Sequence, residues 1–239
     1  MNALLQHILE AHGGLHRWNG FSTMRAHLSQ GGVLWHLKGK PGMLDEVDVQ
    51  LELHRPWTSH SPFGGAGRRS AVTPERAAIE TTEGAPIEEL RDPRASFAGH
   101  ALDTPWSDTQ LAYFVGYAIW NYLTMPFTLA VPDLEIAELP PHQEDGRSLR
   151  RLQVRFPERL ATHSPVQTFY FSEDGLLRRH DYEVDISGGA PAVHYLSDHL
   201  TVQGITLPTT HMIYVRKPDG SHDPEPLVVS IRLSEVAFA

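Results

Sequence analysis

One long apolar segment, Thr104–Pro132, constrains the fold of this chain more than any other feature. It contains no Lys, Arg or Glu, and between Leu111 and Leu123 only Gly116 and Asn121 interrupt a run of apolar and aromatic residues. A helix that is apolar on every face has to be buried on every face. The thirteen residues of this run are too few to cross a bilayer, which takes about 20. We therefore predict a buried central helix around which the rest of the chain folds.

Local signals set the ends of this helix. Ser107 followed by Gln110 forms the pattern of a capping box, and Pro105 lies where the first turn of a helix tolerates proline. Pro126 interrupts helical hydrogen bonding and disfavours helical backbone in the residue before it. The helix should therefore end at or before Met125.

The composition is that of a globular protein with a substantial core. Of the 239 residues, 41% are hydrophobic and 21% are charged, and no linker divides the chain. We predict a single domain over residues 1–239. The formal net charge of -9 argues against a nucleic-acid partner, because a phosphate-binding face requires clustered Lys and Arg.

The chain contains no cysteine. This excludes disulfides, thiolate metal ligands, a cysteine nucleophile and a lipid anchor on cysteine. The first fourteen residues, MNALLQHILEAHGG, have neither the basic start nor the apolar core of a signal peptide. We therefore expect a cytoplasmic location.

Most of the chain outside the central helix has the pattern of strands separated by turns. Apolar residues occupy the odd positions of the segment from Val47 to Leu53, as in a half-buried antiparallel strand. Residues 168–172 and 176–185 flank Glu173-Asp174-Gly175 and give the strongest hairpin signal. We also expect a strand at 32–38 and a polar connection from Ala85 onward.

Before the strands, an N-terminal helix is predicted. Asn2 can cap it, Leu4, Leu5, Ile8 and Leu9 form one apolar stripe, and Gly13-Gly14 closes it.

These elements predict a mainly β (α+β) fold with ten or eleven strands and about two helices. The simplest topology is a single large antiparallel meander, and a sheet of that size has to curl strongly or close. The expected architecture is a strongly curved sheet or half-open β-barrel, wrapped around the central apolar helix and preceded by an N-terminal helix.

The chain resembles the LolA/LolB lipoprotein-carrier superfamily. The resemblance rests on the order of elements and on three segments: ILEAHGGLHRW (Ile8–Trp18), FYFSEDGLLRRHDYEVD (Phe169–Asp185) and HLTVQGITLPTTHMIYV (His199–Val215). It implies a half-open β-barrel whose mouth is plugged by helices and whose concave face is apolar. Carriers of this superfamily enter by a signal peptide, and one component carries a lipid on cysteine. We expect neither feature here, so the trafficking role is not carried over.

The central helix supplies the first candidate site residues. Tyr113, Tyr117 and Trp120 share one face at the i, i+4, i+7 spacing, and Trp106 lies just before the helix. Such a stripe is most often core packing. Buried tyrosine hydroxyls require partners, however, and polar groups inside an apolar cavity are typical of ligand sites. We predict that these four residues form the apolar wall of a site.

Three histidines are candidates for holding a polar head group: His100, His180 and His199. If the turn at Gly188-Gly189 is symmetric, His180 faces Ser197 and is a diagonal neighbour of His199 on the same side of the sheet. A metal site built from them is conceivable. The sequence nevertheless has no HExxH or HxH motif, so we expect neither a metal nor another cofactor.

Three hypotheses follow. The first is a non-enzymatic protein that binds a hydrophobic or amphipathic, lipid-like small molecule between the sheet and the central helix. The second is a cavity enzyme, a metal-assisted hydrolase or isomerase that uses the same histidines. The third is a filled structural barrel without a ligand. The sequence leaves the oligomeric state open.

Overall fold

The computed structural model describes residues 3–239, so the expected Asn2 cap lies outside the described residues. The helices are α1 (Ala3–Ala11), α2 (Leu15–Trp18), α3 (Leu34–Leu37) and α4 (Asp108–Thr124), with 3-10 turns at Pro93–Phe97, Phe127–Ala130 and Asp185–Ser187. The strands are β1 (Thr23–Gly31), β2 (Glu46–Glu52), β3 (Trp57–Ser61), β4 (Arg68–Thr73), β5 (Arg76–Thr81), β6 (Pro86–Arg91), β7 (Glu135–Glu144), β8 (Arg147–Arg155), β9 (Val166–Phe171), β10 (Leu177–Val184), β11 (Ala190–Val202), β12 (Ile205–Val215) and β13 (Val229–Phe238).

All thirteen strands found between residues 3 and 239 form one antiparallel sheet. Its order is β6-β5-β4-β3-β2-β1-β13-β12-β11-β10-β9-β8-β7, so the first and last strands meet in the middle. The edge strands are β6 and β7, and α4 lies between them in the chain. The sheet is not closed, because β6 and β7 do not pair. The predicted mainly β fold with an open, antiparallel sheet is confirmed.

Contacts of α4 show that the sheet curls around it. The helix packs on β3, β4 and β5 in one half of the sheet. In the other half, the Tyr122 hydroxyl lies 2.6 Å from the Tyr182 hydroxyl of β10. Strands far apart in the sheet order thus contact the same helix, which fills the concave face.

The predicted boundaries of the central helix are confirmed. Ser107 and Gln110 form a complete capping box, and Met125 leaves helical conformation immediately before Pro126. Fifteen of the seventeen residues of α4 are buried, as the lack of a polar face requires. Among residues 3–239, no helix is both long and apolar enough to cross a membrane.

The N-terminal helix and β2 also follow their sequence patterns. The apolar stripe of α1 is buried, and the amide of Gly14 bonds the carbonyl of Leu9 at 2.9 Å to close the helix. Along β2 and the residue that follows, Val47, Val49, Leu51 and Leu53 are at most 3% exposed, while the residues between them face outward.

Two expected elements are wrong. Residues 32–38 contain the short helix α3 instead of a strand, and the amides of Val33 and Leu34 bond carbonyls of the segment before β13. A short apolar run is compatible with either a strand or a helix, so its periodicity could not distinguish between the two. Residues 86–91, expected as a polar connection, form the edge strand β6. Because this strand is exposed, its sequence lacks the alternation of apolar and polar residues that marks a half-buried strand.

The expected pairing of β10 with β11 is also wrong. Val184 pairs with Ala190 and His180 with His194, because the chain reverses through Asp185–Ser187, before Gly188-Gly189. The partner of His180 is therefore three residues earlier than the expected Ser197. An odd shift exchanges the two faces of a strand, so this pairing brings His194, and not His199, beside His180.

Candidate functional site

An apolar cavity lies between α4 and strands β11, β12 and β13. Its volume is about 110 Å³. The helix contributes Phe114, Val115, Ala118, Ile119 and Tyr122, and the sheet contributes residues that include Ala192, Ile213, Val229 and Ile231. An engineered apolar cavity of about 150 Å³ binds benzene. This cavity is therefore of a size for a small ring or the end of an alkyl chain.

Helix periodicity explains why the cavity lies on this side of α4. Val115, Ile119 and Tyr122 follow one another at i, i+4, i+7, with Ala118 beside them. Gly116 lies on the face that packs on β3 and β4, where it lets the helix come close to the sheet. The helix consequently leaves space on the β11–β13 side.

The mouth of the cavity is edged by exposed apolar side chains. Leu102 and Val215 both line the cavity and are 37% and 45% exposed. Next to them in the wall, α3 contributes the buried residues Leu34 and Trp35. An apolar molecule could therefore enter without crossing a polar rim at these positions.

A chain of hydrogen bonds joins the cavity wall to the interior. The Nδ1 atom of His163 lies 3.1 Å from the Tyr117 hydroxyl, and its Nε2 atom lies 2.8 Å from the Tyr122 hydroxyl. Tyr122 in turn bonds Tyr182. Burial lowers the pKa of His163 to about 3, so its ring is neutral near pH 7. A neutral imidazole donates one hydrogen bond and accepts the other.

Further histidines lie beside this chain. The Nε2 atom of His180 lies 2.6 Å from Gln167 Oε1, and His194 Nε2 lies 2.9 Å from His211 Nδ1. Burial lowers the pKa of His211 to about 4 and holds those of His180 and His194 well below their usual range. Within the described part of the chain, no group of three His, Asp or Glu side chains has the arrangement of a metal site.

Three residues of the cavity wall carry an unpaired hydrogen-bond donor. Within residues 3–239, no acceptor bonds Gln30 Nε2, Trp35 Nε1 or Trp106 Nε1, although all three atoms are buried. A buried donor without a partner costs about 1–3 kcal/mol. Three residues of the wall thus hold an N–H group that is buried without a partner among the residues described.

A buried ammonium group lies behind Trp106. Lys38 is fully buried, and its Nζ lies 4.2 Å from the centre of the Trp106 ring. It donates to the carbonyls of Ala101 and Thr104 at 3.3 and 3.2 Å. Burial lowers the pKa of Lys38 to about 8, against the opposing charge of Asp103.

The structure distributes the four predicted aromatic residues over two sides of α4. Trp106 lies in the cavity wall. Tyr117 bonds His163, and Trp120 donates from Nε1 to the Glu52 carbonyl at 2.8 Å. Tyr113 packs beside Phe97. The last three do not line the cavity, and their part in ligand binding stays a prediction.

The three predicted histidines have separate surroundings. His180 stacks on Phe169 with ring centres 4.2 Å apart. His199 is half-buried beside Arg178, whose Nη1 lies 3.4 Å from its Nδ1, and burial lowers the pKa of His199. His100 packs against Phe97. None of them lines the cavity, and a role in holding a head group stays a prediction.

Sequence reasoning missed Trp35, Ile119 and Ile213 in the wall of the cavity. Trp35 lies in the segment that was expected to be a strand. The helix face was chosen by its large aromatic side chains, but such side chains fill space. The α4 residues that do line the cavity include the aromatic Phe114 and Tyr122, so side-chain size alone gave no signal for it.

A second hollow of about 620 Å³ opens beside Tyr113, between the 93–97 turn and residues 156–165. It is open and partly polar. Arg94 crosses it, donating to the Thr162 carbonyl at 2.9 Å and to Asp185 at 3.2 Å. Arg94 is therefore paired within the hollow, whereas Arg159 pairs with Asp133 outside it.

Comparisons with known proteins place the fold. The sequence matches no protein-family model and no curated protein. A LolA superfamily protein from Nitrosomonas europaea superposes with a TM-score of 0.54 at 12% identity, covering 98% of this chain and 93% of that one. A putative outer membrane lipoprotein-sorting protein domain from Vibrio parahaemolyticus also gives 0.54, at 9% identity and coverage of 98% and 91%. A DUF1329 family protein from Desulfovibrio piger gives 0.53, at 11% identity and coverage of 99% and 92%. The resemblance to the LolA/LolB superfamily is confirmed at the level of the fold.

Proposed function

We propose that this chain, with its LolA-like fold, binds a hydrophobic or amphipathic, lipid-like small molecule between α4 and strands β11–β13. The observation that carries the proposal is the apolar cavity of about 110 Å³ with an apolar mouth. In a fully packed interior, voids larger than a water molecule are few. A filled structural barrel gives no reason for this void.

The fold supports the same proposal. One structure that shares it is described as a putative outer membrane lipoprotein-sorting protein domain, and the acyl chains of a lipoprotein are apolar. Transfer of apolar surface from water contributes about 25 cal/mol per Å², so a chain end seated in this cavity gains affinity without any polar contact.

The enzyme alternative has less support. It required at least two of His100, His180 and His199 to share a metal or a water, and each of them has its own neighbours. The four buried histidines nearest the cavity are held neutral by burial and are engaged with Tyr, Gln or His side chains.

The proposal can be tested with 12-bromododecan-1-ol, a neutral alkyl chain whose terminal bromine quenches tryptophan fluorescence on contact. Two of the five tryptophans, Trp35 and Trp106, lie in the cavity wall. We expect saturable quenching that is largely lost in the Trp35→Phe/Trp106→Phe double variant. Saturable quenching that survives in this variant would place the probe elsewhere and contradict the proposed site.

A matched pair of surface variants provides the control. Val215→Asp puts a charge at the mouth of the cavity, whereas Leu200→Asp puts one at a similarly exposed position that does not line it. We expect the first to weaken binding of the bromoalcohol and the second to leave it unchanged. If the two substitutions weakened binding equally, entry of the ligand at Val215 would be contradicted.

A cytoplasmic location stays a prediction. Fractionation of cells that produce the untagged chain tests it.

A further inference from the structure

Exposed apolar side chains are concentrated around the mouth of the cavity. Among residues 3–239, six large hydrophobic side chains are exposed. Four of the six lie at the mouth or on the short helix beside it, and we call them the mouth patch: Val33, Leu37, Leu102 and Val215. Single exposed apolar residues are ordinary on a protein surface, whereas a group of them marks an interaction site.

Hydrogen bonds at both ends of α3 hold this helix at the mouth. The helix contributes two buried residues to the cavity wall, while Val33 and Leu37 lie at i and i+4 on its exposed side. The amide of Val33 bonds the carbonyl of Leu227 at 3.0 Å, in the segment before β13. At the other end, Lys38 Nζ bonds the carbonyl of Ala101 at 3.3 Å, one residue before Leu102. The mouth patch therefore belongs to one region of the surface.

The charges beside the mouth patch restrict its partner. Lys38 is buried and donates to two carbonyls. The other Lys and Arg residues that flank the patch in the sequence each bond a carboxylate: Lys40 with Asp108, Arg216 with Glu183 and Lys217 with Asp223. The chain as a whole has a formal net charge of -9. Attraction to an anionic lipid surface requires free Lys and Arg, so the patch fits a surface without net charge.

The size of the mouth patch argues against a protein partner. A stable protein–protein interface takes about 20–30 residues on each side, and the patch offers four partly exposed aliphatic side chains. A bilayer requires less, because apolar side chains enter the boundary between head groups and acyl chains without a complementary surface. The hydrocarbon of a bilayer is also the medium from which an apolar ligand can reach this mouth.

We propose that the mouth patch docks this chain on the surface of a zwitterionic bilayer, with the opening of the cavity against the lipid. The inference rests on the proposed function, because it supplies the route by which an apolar ligand passes between membrane and cavity without crossing water. Docking is weak and reversible, since four partly exposed side chains bury little apolar area and no free positive charge adds to the attraction.

Flotation with phosphatidylcholine vesicles tests the docking. We expect the chain to float with the vesicles and Leu37→Asp to lower its partition coefficient by roughly tenfold. Leu200→Asp is the matched control, because Leu200 is similarly exposed, at 50% against 42%, and lies outside the patch. Leu37 does not line the cavity, so Leu37→Asp should bind 12-bromododecan-1-ol as the unaltered chain does.

A measurement on the unaltered chain covers the case in which Leu37→Asp fails to fold. In protein with ¹³C-labelled leucine and valine methyl groups, phosphatidylcholine bicelles that carry a nitroxide-labelled lipid broaden the resonances of residues near the bilayer. We expect broadening at Leu37 and Leu102 and none at Leu200. Broadening at Leu200 without broadening at the mouth patch would overturn the inference.

The outcomes separate this inference from the proposed function. Vesicle binding that Leu37→Asp weakens and Leu200→Asp does not supports the docking. It is overturned if phosphatidylcholine vesicles do not bind, if Leu37→Asp leaves their binding unchanged, or if the two variants lose binding equally. Binding that requires phosphatidylglycerol and disappears at high salt also overturns it, as does a dimer that Leu37→Asp dissociates in the absence of vesicle binding. In each of these cases the proposed function stands if 12-bromododecan-1-ol binds in the cavity, and both are overturned if it does not.

Discussion

The tryptophans around α4 differ in whether their indole N–H has a partner. Trp35 and Trp120 are both about 95% buried, at 4% and 5% exposure. Trp120 donates to the Glu52 carbonyl, while Trp35 has no acceptor among residues 3–239. The two indole groups should therefore contribute differently to stability.

A pair of substitutions measures that difference. Trp35→Phe and Trp120→Phe remove similar volumes, but only the second breaks a hydrogen bond, which contributes about 1 kcal/mol. We expect the free energy of unfolding, measured with urea in the absence of ligand, to fall further for Trp120→Phe by roughly that amount. Equal losses would mean that the two N–H groups are in equivalent environments.

At the scale of elements, the two faces of α4 have different roles. One face packs on β3–β5, and another face borders the cavity. Gly116 lies on the packed side, where a Cβ atom would come within 2.7 Å of Val72 and 2.9 Å of Thr58 Oγ1. This glycine therefore sets how closely the helix approaches the sheet.

Gly116→Ala tests this close approach. Replacing a helical glycine by alanine ordinarily stabilises a helix by roughly 1 kcal/mol. Here the added methyl group meets the branched Val72 side chain close to its backbone, and overpacking costs about 1–3 kcal/mol. We expect a net loss of stability on thermal or urea unfolding. A gain in stability would contradict the packing described for α4 against β4.

How much could be predicted from the sequence differs between elements. The ends of α4 were predictable because the capping residues and Pro126 act locally. The alternation of β2 was predictable because one face is buried. The strand β6 was not, since an edge strand exposed on both faces has no alternation. The turn before β11 was misplaced because Gly188-Gly189 was taken as its centre, although the reversal occurs at Asp185–Ser187.

The candidate site was less predictable than the fold. A cavity depends on the volume that the elements facing it leave unfilled. This cavity lies between α3, α4 and strands β11–β13, three parts of the molecule that are far apart in the chain. Of the seven residues predicted for the site, only Trp106 lines it. The sequence identified the central helix correctly but not the face that borders the space.

At the scale of the whole molecule, buried neutral histidines link stability to pH. Burial lowers the pKa of His12, His60 and His211 to about 4 and that of His163 to about 3. In the unfolded chain these groups titrate near 6.5. At a pH between the folded and unfolded pKa values, these histidines are protonated in the unfolded state but neutral in the folded state. Lowering the pH therefore favours unfolding.

We therefore expect these histidines not to reduce the free energy of unfolding above about pH 6.5. As the pH falls from there towards about 4, the free energy of unfolding should decrease steadily. At pH 5.5 each of the four histidines lowers the free energy of unfolding by about 1.4 kcal/mol, so together they cost roughly 6 kcal/mol. His60 is the cleanest single test, because burial alone lowers its pKa. The slope of unfolding free energy against pH reports how many protons are taken up on unfolding. His60→Gln should reduce that number by about one. An unchanged slope would contradict a neutral, buried His60.

The central claim is that an apolar ligand occupies the cavity between α4 and β11–β13, and isoleucine methyl groups report on it directly. Ile119, Ile213 and Ile231 line the cavity, whereas Ile8 and Ile79 are buried elsewhere. In the methyl NMR spectrum of protein labelled at isoleucine δ1, titration with 12-bromododecan-1-ol should shift the first three resonances and leave the other two in place. Shifts at Ile8 or Ile79 with none at the cavity, or no shift at all, would contradict the account.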